Sequence, residues 1–395
     1  MIRNKYIVEA IAFTSYVLFA MAWVAGTTNM TLIMDAMGVT SIASASFLSG
    51  AVTFAKIVGT FLAALLAVKV GVKIAFLISG LMVGIGLMTP YSPNYELLLI
   101  SRFVMGLGGA LMVVYFNPIV LQWFEPHERP VVNGLNAVAF NVGTSIVMWL
   151  SVDMNAWFGG WQNSLAIVSI ASLVLIGLWC LVDFDSNKKD AAGGSDSDTP
   201  PPASYGYMDG LKDKFCWQFG FTYAGIISFY IGMFTFAAKA NISQGSLVMF
   251  AGIVGNLCGI VYSRRFPLRV PVVRWSGFVI AASAAGVIFG SSEVVKDVSA
   301  FVLGFAIFFP ITALFTIPHE LPGMTSERIT VVFSLFYTIS YIVASIALWV
   351  FGWIVDHNNG DYVAAFGMLV VLSSSFFWGS FFLPETQKKA DEQAA

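Results

Sequence analysis

Lys56 stands in the hexapeptide FAKIVG, Phe54 to Gly59, in the middle of an apolar run from about 42 to 68. A run of this length crosses a bilayer as a helix, which takes about 20 apolar residues at about 1.5 Å of rise each. Lys56 lies roughly 12 to 14 residues from either end, on the order of 20 Å along the axis, too deep for its ammonium to snorkel to the headgroups. A lysine at mid-helix costs about 2.5 to 3.5 kcal/mol on insertion scales, and such residues face a cavity and a partner. The chemistry they offer is binding, because a fixed cation in a water-poor site attracts an anion strongly. A structural lysine bonded to backbone carbonyls or to a polar neighbouring helix is the alternative. Arg102, roughly 7 residues into another apolar run, is a second cation of this kind. It is a candidate auxiliary contact, with snorkelling or a gating role as the alternatives.

Uncharged polar groups complete the candidate set. Thr28 and Asn29, beside Thr27, cluster in the outer half of the first apolar run, and Asn141 is the deeper of the two amides Asn136 and Asn141. Hydroxyls and amides complete an anion's hydrogen bonds, although they also satisfy helix backbone in membranes. The second half of the chain offers Tyr223 and Tyr230, and then Phe333, Tyr337 and Tyr341 at i, i+4 and i+8, a spacing that puts three rings on one helix face. Such stripes serve packing or line a cavity, and a buried phenol needs a hydrogen-bond partner. One cation opposite a phenolic, apolar wall suits a small organic anion. Gly106, with Gly108, Gly109 and Gly143, allows close helix approach, and Pro118, Pro310 and Pro318 break or bend helices where a gate must open. His319 with Glu320 reads as a solvated position near the inner end of its run.

The elements that position these residues follow from composition. Of 395 residues, 58% are hydrophobic and 11% charged, against about 25% charged in soluble domains, so the chain is an all-α, polytopic membrane protein. Its three cysteines, Cys180, Cys216 and Cys258, lack C-x-x-C spacing, so neither a disulfide framework nor a metal site is implied. No cofactor motif or nucleophile-base constellation is visible, which points away from an enzyme, and nothing suggests nucleic-acid binding. Six spans are predicted in the first half, near 7–34, 42–68, 72–90, 95–123, 131–154 and 162–182. The first has no small-x-small cleavage site and reads as an uncleaved span. Residues 183–215, polar and rich in Gly, Ser and Pro, read as a flexible cytoplasmic linker. Six more spans are predicted near 216–240, 244–263, 271–289, 295–321, 327–353 and 362–383. The expected organisation is a six-helix bundle over 1–182, the linker over 183–215 and a second six-helix bundle over 216–395.

Lys and Arg set the expected orientation. With the N-terminus inside, sixteen of the 20 basic residues fall on the cytoplasmic side and two, Lys239 and Lys296, outside, the remaining pair being Lys56 and Arg102. Both termini and the linker are thereby expected in the cytoplasm and the chain in the inner (plasma) membrane. All 22 acidic residues fall at span ends or in the linker, so the chain offers no carboxylate relay at mid-membrane.

An internal repeat supports two related halves. FAKIVG recurs as FAGIVG, Phe250 to Gly255, and Lys69 is matched by Arg265 at the same offset of 196. Pro118 matches Pro318, and Glu128-Arg129 matches Glu327-Arg328, at offsets of 199 to 200. Related six-helix halves joined by a linker are an architecture of rocking transporters, whose substrate site lies at the repeat interface near the midplane. The counterpart of Lys56 is Gly252, so the expected site is lopsided, with its charge in one half and its aromatic wall in the other.

Arg102 to Gly109 reads R-x-x-x-G-x-G-G and is followed by Asn117-Pro118, by WFEPHERPVVNGLNA from Trp123 to Ala137, and finally by Leu383-Pro384-Glu385-Thr386. These passages resemble the major facilitator superfamily over nearly the whole chain, and the resemblance implies twelve transmembrane helices in two six-helix halves. The loop after the second span departs from the family's G-x-x-x-D-R-x-G-R-R, with Val68 in the acidic position and only Lys69, Gly71 and Lys73 keeping its character. The span 5 run GLNAVAFNVGTS, Gly134 to Ser145, lacks the G-P pair of drug-proton antiporters. It is partially similar to the nitrate/nitrite porters, and the cyanate-type branch and small-carboxylate carriers fit at least as well. In the nitrate/nitrite porters buried arginines in spans 2 and 8 clamp the anion. Lys56 is similar in location to the first, and Gly252 stands in place of the second.

The expected function is a secondary transporter, acting as a monomer, that moves a small anion by alternating access. It is driven by ion or substrate gradients, with a coupled proton (symport) or a counter-anion as the candidate second partner. The rival expectation is an efflux carrier for drugs or metabolites.

Overall fold

The computed structural model describes residues 2–40, 42–184, 205–237 and 240–386. The expected linker's residues 185–204, and the basic residues Lys188, Lys189, Lys239, Lys388 and Lys389 used for orientation, lie outside the described residues. Within the described residues the regular elements are helices, plus an isolated bridge from Ile2 to Val182. That is what a hydrocarbon environment demands, since a helix satisfies its backbone polar groups internally. The helices are α1 (Lys5–Thr28), α2 (Met30–Met37), α3 (Ile42–Gly84), α4 (Tyr95–Trp123), α5 (Arg129–Phe158) and α6 (Trp161–Cys180). Then follow α7 (Tyr207–Lys212), α8 (Lys214–Phe236), α9 (Gly245–Arg265), α10 (Val270–Phe289), α11 (Glu293–Phe308), α12 (Ile311–Glu320) and α13 (Ser326–His357). The last are α14 (Val363–Ser373) and α15 (Ser375–Gly379).

Ten stretches of the described residues are long and apolar enough to cross a bilayer. One of them, Phe47–Tyr91, has 45 residues, roughly 67 Å if straight and more than twice the hydrocarbon thickness. It turns at Gly71, whose φ of 80° is open to glycine and strained for other residues. Both of its arms meet the same part of α4: Gly59 lies against Leu107 and Ala110, and Gly108 against Ser79 and Val83. The stretch therefore doubles back and holds two passes. α8, at 23 residues, is also long enough to span. The described residues thus supply twelve passes in an all-helical fold.

Three predicted spans are interrupted, the twelfth of them at Ser374 between α14 and α15. The first ends its main helix at Thr28, and after Asn29 the short α2 runs on to Gly38, which caps it with φ 66°. The tenth is broken at Pro310 into α11 and α12, because proline supplies no N–H to the preceding turn. Pro118 and Pro318 sit inside α4 and α12 without ending them. Side-chain caps fix several starts: Asn4 accepts from the Tyr6 N–H, Asn94 from Leu97, Asp213 from Phe215 and Ser292 from Val295.

The chain forms two compact units. Unit 1 comprises residues 1–126, 142–210 and 325–334, and unit 2 comprises 127–141, 211–324 and 335–395. Each unit thus holds most of one half of the sequence and a short piece from the other. In unit 1 the imported start of α13 is held by Ser334, whose hydroxyl donates to the Thr60 carbonyl, and by Gln122, which donates to the Ser326 hydroxyl at 2.9 Å. In unit 2 the imported first part of α5 is held by Asn256, whose amide donates to the Gly134 carbonyl at 2.5 Å. Small residues allow the closest helix contacts: a Cβ on Gly106 would lie 2.8 Å from that of Ala55, and one on Gly108 2.4 Å from the Ser79 carbonyl.

Candidate functional site

Unit 1 carries Lys56 and Arg102, the two cations that stand inside apolar runs; a third buried cation, Arg269 of unit 2, is paired with Glu320 at 2.8 Å. Lys56 on α3 is 2% exposed, and its Nζ lies 4.5 Å from the ring centre of Trp23 and 5.6 Å from that of Phe19, both on α1. Phe19 and Trp23 are four residues apart, so one face of α1 turns both rings toward α3. Tyr16 extends the aromatic row, its ring 5.5 Å from Phe19. A ring face attracts an ammonium, by about 2 kcal/mol or more where water is excluded, yet carries no net charge. The Lys56 amine therefore lies against two ring faces of α1, out of contact with solvent.

Arg102 is fully buried, where the sequence allowed for snorkelling. Its Nε donates to the Leu48 carbonyl on α3 at 2.7 Å, its Nη2 to the Trp23 carbonyl on α1 at 2.9 Å, and its Nη1 toward Ala22 at 3.5 Å. The guanidinium packs against Gly26, where a Cβ would fall 1.9 Å from Nη1. A planar fork can serve carbonyls of two helices at once. Trp23 is thus held at both ends, its carbonyl by Arg102 and its ring face by Lys56, so in this arrangement Arg102 braces the wall that Lys56 lies on.

The polar groups near the end of α1 are largely turned inward on the helix. Thr28 is exposed and donates to the Ala25 carbonyl at 3.2 Å. Asn29 is buried, donates to the same carbonyl at 2.9 Å and accepts from Asn155 at 2.7 Å.

Unit 2 holds the remaining candidates. Asn141, fully buried, accepts from the Tyr230 hydroxyl at 2.5 Å, and its Nδ2 has no hydrogen-bond partner among the described residues. A Cβ built on Gly252 would lie 3.0 Å from that Nδ2 and 2.7 Å from the Phe308 ring, so the space that a side chain at the repeat counterpart of Lys56 would need is filled by an amide and a phenyl ring. Tyr223 stacks on Phe336 at 5.0 Å, Phe315 stands edge-on to Phe336 and to Tyr337, and Tyr337 stacks on Tyr341 at 6.2 Å. This is a continuous aromatic row with Tyr337 and Tyr341 both buried.

Sequence reasoning missed several groups. Trp23 and Phe19 carry no local signal, since only the packing of α1 on α3 brings them to Lys56. Asn256 lies one turn beyond Gly252, a spacing that could have flagged it. His319 is buried rather than solvated: its Nδ1 lies 2.9 Å from the Phe315 carbonyl and 3.5 Å from the Asn133 amide. Asn136, the Asn256 Oδ1 and the Thr312 hydroxyl are also buried in unit 2 without a hydrogen-bond partner among the described residues, which marks places suited to water or to a polar ligand.

Residues 12–348 match the sequence profile of the Major Facilitator Superfamily. The chain belongs to that superfamily. As a Major Facilitator Superfamily member it is a multi-pass membrane protein and a secondary transporter working by alternating access, not an enzyme. A relative from Campylobacter jejuni, Cj0987c, is 29% identical over 273 residues, covering 65% of this chain and 82% of its own. Among solved structures, the E. coli fucose:proton symporter FucP superposes with a TM-score of 0.70 at 17% identity, over 97% of this chain and 100% of FucP. The proton:xylose symporter XylE gives 0.71 at 15% identity, over 97% and 96%. At such identities the likeness carries the superfamily fold alone.

Proposed function

We propose that this transporter carries a small anion, a small organic acid, with Lys56 as its charge anchor. The observation behind this is the Lys56 ammonium, 2% exposed and resting on the faces of Trp23 and Phe19. The proposal gives Arg102 the task of holding Trp23 in place. In unit 2 it assigns lining roles to Asn141, Tyr223, Tyr230, Tyr337 and Tyr341, whose amide and phenols would bond a carboxylate or hydroxyl. Thr28 and Asn29 are proposed to act at the outer mouth, and Gly106, Pro118, Pro310 and Pro318 to let the helices bend and slide. Both termini are proposed to lie in the cytoplasm, on the basic-residue pattern.

The test is uptake into proteoliposomes with a panel of small carboxylates and inorganic anions beside their neutral analogues. A charge-assisted contact contributes about 1.5 to 3 kcal/mol, so Lys56→Gln should weaken uptake about tenfold or more while Lys56→Arg retains part of it. Wild-type uptake by Lys56→Gln would remove the anchor, and a preference for cationic or neutral substrates would remove the anion proposal. The aromatic row of unit 2 favours a second reading, an efflux carrier for drugs or metabolites. Under that reading export of bulky apolar compounds from inverted vesicles would exceed anion transport and would be insensitive to Lys56→Gln.

A further inference from the structure

An apolar groove lies on the surface of unit 1, apart from Lys56 and its rings. It has a volume of about 310 Å³, runs between the two arms of α3 and α4 and is lined by Gly59, Leu62, Leu65, Leu66, Met82, Leu107 and Leu111, with Lys69 at one end. Gly59 closes the far end, because there α3 and α4 approach so nearly that a Cβ on it would lie 2.6 Å from that of Ala110. Leu62 and Leu65, like Phe61 and Val68 beside them, are exposed on this helix face, so the groove opens toward the hydrocarbon that surrounds a membrane protein.

Two properties specify the occupant. From Gly59 to Lys69 the first arm of α3 rises ten residues, about 15 Å, which is half of the roughly 30 Å hydrocarbon core and so the depth of one leaflet. An acyl chain whose headgroup lies level with Lys69 would therefore end beside Gly59. The second property is charge. Lys69 is exposed, Lys73 follows it across the Gly71 turn, and the sequence contains no Asp or Glu between Asp35 and Glu96. Where the superfamily resemblance expects an acid beside Lys69, this chain has Val68. The headgroup end is therefore basic, with no carboxylate on either arm of α3 to compete for it.

We propose that this groove is a lipid site that holds one acyl chain of an anionic phospholipid, its phosphate headgroup bound by Lys69 with Lys73 adjacent. The site is separate from the transported substrate and does not depend on what that substrate is. An exposed lysine beside anionic lipid contributes about 1 kcal/mol, enough for a several-fold preference over a zwitterionic lipid with the same chains.

The purified full chain, delipidated in detergent, is titrated with phosphatidylglycerol or phosphatidylcholine of identical chains, and retained lipid is counted by native mass spectrometry. The expected result is about fivefold more phosphatidylglycerol than phosphatidylcholine on the wild type. Lys69→Gln should abolish that preference, and Leu62→Trp, which fills the groove from its exposed side, should lower retention of both lipids. Equal retention of the two lipids by the wild type, or an undiminished preference in Lys69→Gln, overturns the headgroup assignment. Unchanged retention in Leu62→Trp overturns the groove and leaves only surface attraction to basic residues. Lys69 is exposed, so its substitution keeps the test decisive even where the tryptophan variant fails to fold.

Discussion

Replacing Arg102 separates a brace from a substrate contact. Its guanidinium makes two short bonds, to Leu48 on α3 and to Trp23 on α1, and a longer approach to Ala22. In water-exposed proteins hydrogen bonds to a charged group contribute about 1.5 to 3 kcal/mol each. In membranes the coupling is smaller, about 0.6 and at most about 1.7 kcal/mol per bond, because the unfolded helices also find partners in the bilayer. The membrane figure is the relevant one, and two bonds give about 1 to 3 kcal/mol. Arg102→Gln should lose most of this. Arg102→Lys should lose at least one bond, since one ammonium nitrogen cannot replace the Nε and Nη2 that reach two helices. Gly26→Ala should do comparable damage without touching a charge, because its methyl would collide with the guanidinium. The assay is thermal unfolding of purified protein followed by intrinsic tryptophan fluorescence, run beside substrate binding. The expected pattern is a melting temperature lowered by several degrees in all three variants, with binding weakened in step. If Arg102→Gln melted like the wild type yet lost binding, the arginine would be a substrate contact and the brace assignment would be wrong.

Two further outcomes follow from unit 2. Tyr230→Phe and Asn141→Leu each break the 2.5 Å bond between them and leave a buried polar partner. The double variant should therefore be less destabilised than the sum of the singles by about 0.6 to 1.7 kcal/mol, measured as a double-mutant cycle of unfolding, and strict additivity would contradict the bond. Gly252→Ala introduces a methyl group 2.7 Å from the Phe308 ring and 3.0 Å from the Asn141 amide. Substrate affinity should fall more than stability if Asn141 lines the site, and an unchanged affinity would take Asn141 out of it.

The number of passes was legible in the sequence because hydrocarbon imposes one rule on every span. A stretch of about 20 apolar residues must be helical, and runs of polar residues fall between such stretches. The turn at Gly71, between the expected spans 42–68 and 72–90, is where the chain does reverse. Of the three prolines expected to break or bend their helices, Pro310 breaks its span while Pro118 and Pro318 stay inside α4 and α12, because the sequence shows the missing N–H but not whether neighbouring helices compensate for it.

The anomalous positions of Lys56 and Arg102 were also set by sequence alone, because a charge inside an apolar run is visible without any fold. What each charge meets was decided by tertiary structure. Lys56 lies on Trp23 and Phe19, 37 residues or fewer before it in the chain yet on another helix, whereas Arg102 reaches backbone carbonyls that no sequence pattern advertises. The same holds for His319, whose burial beside Asn133 depends on the first part of α5 grouping with unit 2. Membrane insertion acts on each span's own composition, whereas partner choice depends on which faces the packed helices present to one another, and that is a property of the assembled bundle.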